Sequence, residues 1–396
     1  MPATYRDGKK DYRKEKSGLN IAMLGHKRIP SREGGIEVVV EELSTRMVKL
    51  GHHVTCFNRS GQHVSGKQFT QKAKREYKGV RLKYVPTIDR RGWAAMTSSI
   101  TAAIRAAFGN YDVVHFHAEG PCAMIWLPKL FRKRCIATIH GLDHRRVKWG
   151  RLAQAYILLG EWAAVRWADE IIVLSKSVQE YFWEKYKRET HWIPNGVSRS
   201  QLKGSGMIER NLGLKQGEYI LYVGRLVPEK GLSYLIRAYQ EMHIDKKLVV
   251  AGGGSDAYEF EMHIREQAKN NPNIIFAGFV QGEMLEELYS NAYLFVLPSD
   301  LEGMPLTLLE AMSFGRCCLT SDIPECTEVI EDRGVVFERG NVQDLEEKLQ
   351  ILCEHPETVQ RYMRDAADFI CEKYNWDDVV GQTIQVYKKS YRGKKR

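Results

Sequence analysis

Two halves of the chain carry the same pattern, in which short apolar runs alternate with longer segments of helical periodicity. In the first half the runs fall at 20–25, 53–58, 81–85, 112–117, 135–140, 170–175 and 191–195, and helical periodicity fills 36–50, 93–108, 152–167 and 176–187. In the second half they fall at 219–226, 247–253, 273–279, 293–299, 317–322 and 334–338, with helical segments near 231–242, 256–270, 282–290 and 306–315. Short apolar runs, each followed by a helix-length segment, signal parallel sheets covered by crossover helices. The pattern restricts the chain to the α/β class, as two doubly wound, Rossmann-like domains. From about 341 onward only helical periodicity remains.

The polar, Gly- and Ser-rich segment 197–217 separates the two series. It predicts a flexible basic tail over 1–18, an N-terminal domain over 19–200, a C-terminal domain over 201–375 and a last helix within 376–396, in keeping with a length of 396 residues. Domains of this kind facing each other leave a cleft at the C-terminal ends of both sets of strands, where such sheets bind ligands. Candidate functional residues are therefore sought directly after strands.

The composition narrows the setting. Apolar residues make up 43% and charged residues 27%, as in globular proteins. The longest apolar stretch, 153–168, is interrupted by Glu161 and Arg166 and falls short of a membrane span. The run after the basic first 17 residues is too short for a signal-peptide core, and the eight cysteines form neither a CxxC pair nor a secreted framework. A cytoplasmic protein with buried thiols is expected. Residues 1–200 hold 36 Lys+Arg against 18 Asp+Glu, a net of +18, whereas the remainder carries 23 against 31, a net of −8. The basic half calls for an anionic partner: lipid headgroups, a lipid phosphate or nucleic acid.

After the first strand, the loop HKRIPSREGG places Gly34 and Gly35 at a helix start, where backbone N–H groups and the helix dipole suit a phosphate. In YVGRLVPEKG, Arg225 follows a strand and Lys230 precedes a helix, so one loop offers two cations able to neutralise a diphosphate without a metal. The stretch SDLEGMPLTLLEAMSFG (299–315) is mostly apolar yet carries Glu302 in a loop and Glu310 inside a helix. Carboxylates so placed suit recognition of vicinal sugar or ribose hydroxyls, and Gly303, Met304, Pro305 and Leu306 lead into the helix start. In DVVHFH, His115 and His117 share one strand face, with His117 nearer the cleft. His140 and His144 are conceivable further metal ligands, but no recognised spacing links them, so no metal site is expected. Each feature has a plain structural alternative: a tight turn, solvated surface charges, a surface ion pair or a core histidine.

The ordered set EGGIE (33–37), DVVHFH (112–117), PNGV (194–197), GRLVPEKG (224–231), AGGG (251–254) and EGMPLTLLEAMSFG (302–315) resembles the retaining glycosyltransferases of family 4, which have the GT-B fold. Glu302 and Glu310 match the family's E-x7-E pattern, and Arg225 and Lys230 its GR-x4-K pattern, within a resemblance spanning about 19–375. It implies a nucleotide-diphosphate sugar as co-substrate, held mainly by the C-terminal domain, with no further cofactor and no bound metal. Arg225 and Lys230 would contact the diphosphate, Glu302 the transferred sugar, Glu310 the ribose and His117 the region of the anomeric carbon. The Gly34–Gly35 loop would close over the phosphates, and the last helix would cross back onto the N-terminal domain. The segment SDIPECTEV (321–329) departs from the double-glycine version common in relatives.

The expected activity is sugar transfer to a hydroxyl of a lipid-linked or polysaccharide acceptor, in cell-surface polysaccharide or glycolipid synthesis. The setting would be the cytoplasm or the inner face of the plasma membrane. A nucleotide-sugar epimerase of the same fold is the nearest alternative. A basic nucleic-acid-binding protein is the alternative of another class, although no basic motif interleaved with aromatics supports it.

Overall fold

The computed structural model describes residues 18–61, 73–88, 93–146, 149–253 and 258–389. The expected tail therefore lies outside the described residues apart from Gly18, as do Gly254 of the AGGG motif and residues 390–396.

The first domain is built on an eight-stranded sheet of order β3-β4-β2-β1-β5-β6-β7-β8. Its strands are β1 (Asn20–Leu24), β2 (His53–Arg59), β3 (Glu76–Tyr77), β4 (Val80–Val85), β5 (Val113–His117), β6 (Arg134–Ile139), β7 (Glu170–Val173) and β8 (His191–Trp192). All pairs are parallel except the small hairpin β3–β4, which the sequence pattern does not signal. The second domain has a six-stranded parallel sheet of order β11-β10-β9-β12-β13-β14. These strands are β9 (Tyr219–Val223), β10 (Lys247–Ala251), β11 (Ile274–Gly278), β12 (Leu294–Leu297), β13 (Cys318–Ser321) and β14 (Val335–Phe337). In both sheets the strand order reverses beside the first strand, between β1 and β5 and between β9 and β12. Loops diverge at such switch points and leave a crevice.

Helices cover both faces of each sheet. In the first domain they are α1 (Gly35–Lys49), α2 (Trp93–Ala107), α3 (Trp126–Leu130), α4 (Arg151–Trp167) and α5 (Lys176–Tyr186). In the second they are α6 (Gly206–Leu212), α7 (Leu232–Glu241), α8 (Tyr258–Ala268), α9 (Glu283–Asn291), α10 (Leu306–Ser313), α11 (Pro324–Ile330), α12 (Val342–Glu354), α13 (Pro356–Arg364) and α14 (Ala366–Lys373). The central strands, such as β5, β9, β12 and β13, are buried on both sides, as parallel sheets require. All eight cysteines are free thiols, six of them buried, and burial pushes the Cys56 thiol up to about 12.

The segment 197–217, read above as the polar join between the two series, contains α6. Its first turn docks on α9, where the buried Glu287 carboxylate accepts from Met207 N (2.7 Å) and Ile208 N (3.0 Å). A carboxylate at a helix N-terminus satisfies free N–H groups and meets the positive dipole end. The partner lies about 80 residues along the chain, so local sequence does not announce it.

The last helix, α15 (Trp376–Lys388), leaves the second domain and packs on the first. Trp376, Val379, Val380, Ile384 and Tyr387 join Ile21, Met23, Val40 and Leu43 in one core cluster. Gly196 makes room for it: a Cβ there would stand 2.6 Å from the Trp376 ring. Tyr387 reaches through to β5, its hydroxyl 2.6 Å from His115 Nδ1, while His115 Nε2 meets Thr138 Oγ1 at 2.7 Å. His115 is thus a satisfied core histidine. Tyr387→Phe should leave one imidazole nitrogen without a partner and lower stability by about 1–3 kcal/mol, read as a reduced urea midpoint at unchanged far-ultraviolet circular dichroism.

Candidate active site

The second domain sets one loop against another by steric necessity. Gly231 has φ +65°, and a Cβ on it would stand 1.8 Å from the Pro298 carbonyl oxygen. Glycine tolerates both the left-handed backbone and the close approach. The loop that ends β9 therefore lies on the loop that ends β12. Lys230, the last residue of a short 3-10 turn, meets Glu302 in an ion pair, and Ser299 Oγ donates to the same Glu302 oxygen at 2.7 Å. Gly252, the first glycine of AGGG, tucks under the β9 loop, where a Cβ would stand 1.8 Å from Gly224 O. Arg225 is half-buried beside this pair, with Nη2 4.0 Å from Glu229.

The first domain closes on these groups. Gly303 lies against the turn after β6, where an added Cβ would be 1.5 Å from His140 O. Gly141 backs it from the other side at φ +145°. Arg146, on the same turn, reaches Glu229 across the cleft at 3.7 Å and holds Asp143 at 2.8 Å. Arg32, from the loop after β1, meets Glu310 Oε1 at 3.3 Å, and Tyr289 donates to Glu310 Oε2 at 3.3 Å. Asn195 Nδ2 donates to Met304 O at 3.2 Å. The N-terminus of α1 faces that of α10: a Cβ on Gly35 would be 3.4 Å from Leu306 Cδ1. Neither helix has a side-chain cap; Gly34 and Pro305 are their N-cap residues. Pro305 thus stands one position before the helix rather than in its first turn.

Arg225, Lys230, Glu302, Gly303, Met304, Leu306 and Gly35 thus converge with three residues that sequence reading did not single out: Arg146, Glu229 and Asn195. The turn carrying Arg146 has only its position after β6 as a sequence signal. Burial pushes the Lys230 ammonium below its ordinary range, with Arg225 and Arg146 adding to the effect and Glu302 opposing it. Burial likewise lowers Arg225. Burial raises the Glu310 carboxyl against the pull of Arg32 and Tyr289. Glu325 and Glu328, in the segment that departs from the family pattern, meet the start of α5 instead: Ser177 Oγ donates to Glu325 at 2.7 Å and Lys176 N to Glu328 at 3.4 Å. These bonds join the lobes on a second line.

His117 ends β5, fully buried, with Nδ1 3.0 Å from His140 Nε2 and a buried Nε2 that has no hydrogen-bond partner. Ala118 follows at φ +76°, a strained backbone at the sheet edge. His144 turns away from this pair and lies 3.4 Å from both Glu119 and Glu161. Among the described residues, Glu119, His144 and Glu161 alone have ligand atoms close enough together for a metal ion. Glu161 already carries the Lys185 ammonium at 2.8 Å and the hydroxyls of Tyr181 and Tyr186. Two surface cavities of about 580 and 560 Å³ flank α15, away from all of these groups.

Two facing doubly wound domains, with cations, paired carboxylates and helix N-termini at their junction, define a GT-B glycosyltransferase. The model for "Glycosyltransferase Family 4" matches residues 33–201, and that for "Glycosyl transferases group 1" matches 208–388. The chain belongs to the glycosyltransferases of the family 4 type. It is 25% identical to a glycosyltransferase of Methanocaldococcus jannaschii over 93% of this chain and 98% of that one. It is 24% identical to the alpha-D-kanosaminyltransferase of Streptomyces kanamyceticus over 69% and 76%. Among solved structures, sucrose-phosphate synthase from Thermosynechococcus elongatus superposes with a TM-score of 0.75 at 20% identity, covering 94% of this chain and 98% of that one. Anabaena HepE, solved with UDP-glucose, gives 0.77 at 15% identity over 94% and 100%.

Gly303→Ala should force the lobes apart at His140 and lower kcat/KM for sugar transfer at least about tenfold, given how steeply rate depends on placement, while each domain stays folded by circular dichroism. Acid should weaken the fold. Burial drives His26 to about 4 and His115 to about 3, whereas the unfolded chain takes up these protons below about 6.5. Stability present above that pH is therefore lost as pH falls toward 4, at about 1–2 kcal/mol for each of these two histidines by pH 5. Urea midpoints at pH 7 and pH 5 test this; equal midpoints would contradict it.

Proposed function

We propose that the protein transfers a sugar, with retention at the anomeric carbon, from a nucleoside-diphosphate sugar to a hydroxyl acceptor. The observation that carries this reading is the meeting of the GR-x4-K loop and the E-x7-E segment: Lys230 is ion-paired with Glu302, and Arg225 stands alongside. As the glycosidic bond breaks, negative charge grows on the leaving diphosphate. Arg225, Lys230 and the uncapped N-termini of α1 and α10, opened by Gly34, Gly35 and Pro305, stabilise that charge most in the transition state, which is where acceleration arises. The acceptor hydroxyl attacks from the face the diphosphate leaves and passes its proton to a departing phosphate oxygen. Atoms and charge balance without an enzyme nucleophile.

Glu302 accepts from hydroxyls of the transferred sugar and Glu310 from those of the ribose. In the structure these acids are held by Lys230 and Ser299, and by Arg32 and Tyr289. His117 stands by the reacting centre, with Gly303, Met304 and Leu306 lining the donor. The two cations serve in place of a metal, and the sugar nucleotide is the only co-substrate. That HepE, of like fold, was solved with UDP-glucose is compatible with such a donor. The acceptor is a lipid-linked or polysaccharide hydroxyl, met at the cytoplasmic side of a membrane.

Lys230→Ala should lower turnover at saturating donor roughly 10²–10³-fold; near wild-type turnover would overturn the assignment. A panel of nucleotide sugars, read by nucleoside diphosphate release with EDTA present, identifies the donor and tests metal independence. Donor supplied alone separates transferase from epimerase, since only an epimerase converts it to a new nucleotide sugar.

A further inference from the structure

The outer face of the first domain differs from the rest of the surface. Helices α2, α3 and α4 cover one side of its sheet, α3 packing against both of the others. Their inner sides are small and apolar, with Ala102, Ala106, Ile125, Ala163 and Ala164 in the core. Their outer sides are apolar as well. Phe108, Leu130, Phe131, Leu152, Leu159 and Trp162 are all exposed, Leu152 by 90% and Phe108 and Leu130 by about 70%. Between α2 and α3 the patch is continuous, since the Phe108 and Phe131 rings pack edge-on with centroids 4.6 Å apart. In the described part of the second domain, only Leu202, Tyr258, Met262 and Ile351 are exposed large apolar residues.

The exposed charge carried by these helices has one sign, the nearest acids being Asp112 and Asp169 at the strand starts that follow them, Asp169 paired with Lys129. Residues 93–111 and 120–142 contain no Asp or Glu, and 150–168 contain only Glu161, which is wholly buried. Exposed Arg105, Arg132, Arg151 and Arg166 lie among the apolar side chains. An ordinary solvated face mixes both signs and exposes few large apolar groups. Apolar residues interspersed with bases, with no exposed acid on the helices, complement a surface that is anionic outside and apolar beneath.

We propose that the α2–α3–α4 face docks on an anionic lipid bilayer, with Leu130, Leu152 and Trp162 entering the headgroup boundary and the arginines meeting lipid phosphates. Helix α15 occupies the opposite side of the sheet with α1, so docking leaves the interlobe crossing free. The proposal rests on the lipid-side acceptor of the preceding section but is tested apart from it.

Flotation of the full chain with phosphatidylcholine vesicles, with or without about one-third phosphatidylglycerol, is the test. Binding should require the anionic lipid and fall several-fold at high salt, because screening shortens the reach of surface charge. The pair Leu130→Asp and Trp162→Asp should lower the bound fraction at least tenfold, whereas Met262→Asp and Ile351→Asp should leave it unchanged. Equal binding to neutral vesicles, no binding at all, or a dimer by analytical ultracentrifugation that the first pair dissolves would each overturn the proposal. Nucleoside diphosphate release with a soluble acceptor reports separately on the transferase reading.

Discussion

The geometry of the site depends on one backbone contact. Gly303 and the His140–Gly141 turn approach so closely that no Cβ fits between them. That approach brings the loops that follow β6 and β12, strands of different sheets, to van der Waals distance. Arg146 can then reach Glu229, and Arg32 can reach Glu310. A glycine pair here acts as a spacer of zero width. Any larger residue would hold the two lobes apart and leave Arg225, Lys230 and the glutamates facing solvent instead of each other.

Once the lobes meet, the charges must balance. Burial disfavours the ionised form of each of Lys230, Arg225 and Glu310. Each is tolerated because an opposite charge lies within reach, and breaking one pair leaves its partner uncompensated. The resulting cluster holds its side chains in fixed positions before any substrate arrives. Such preorganisation matters because the dipoles and charges need not reorient while the bond breaks. The Glu229 carboxylate, buried with neither oxygen in a hydrogen bond, is the least satisfied member. It sits between two arginines from different lobes, Arg146 at 3.7 Å and Arg225 at 4.0 Å.

The strands and major helices were legible because parallel sheets demand runs apolar on both faces, and 20–25 or 219–226 can hardly be anything else. The site was legible where one loop carries its own logic: glycine, cation and carboxylate at the end of a strand, as in GRLVPEKG and the stretch from Glu302 to Glu310. What escaped was set by partners distant in sequence. Helix α6 forms in a segment polar enough to read as linker because Glu287 satisfies its first turn from α9. Arg146 and Asn195 acquire their positions only when the lobes close. His144, whose sequence position allows it to join His117, is drawn instead to Glu119 and Glu161 by the turn after β6.

The path of the chain also determines how the lobes can move. They are joined by two crossings, at Val197 and at Tyr374–Trp376, and these are not independent. Val197 N donates to Tyr374 O at 2.7 Å, and Val197 bridges Asn375 as a parallel strand pair. Two crossings bonded side by side resist sliding far better than bending, so separation of the lobes must pivot about them. The contacts that would break lie on the far side of that axis: Arg32–Glu310, Arg146–Glu229 and the packing of Gly303 on His140. Ser177–Glu325 and Lys176–Glu328 would have to break with them, as would the packing of Leu306 on the first domain, while the apolar core shared by α15 and the first domain stays intact. The two crossings and the α15 packing therefore form the pivot, and opening the cleft breaks contacts between the lobes without unfolding either domain.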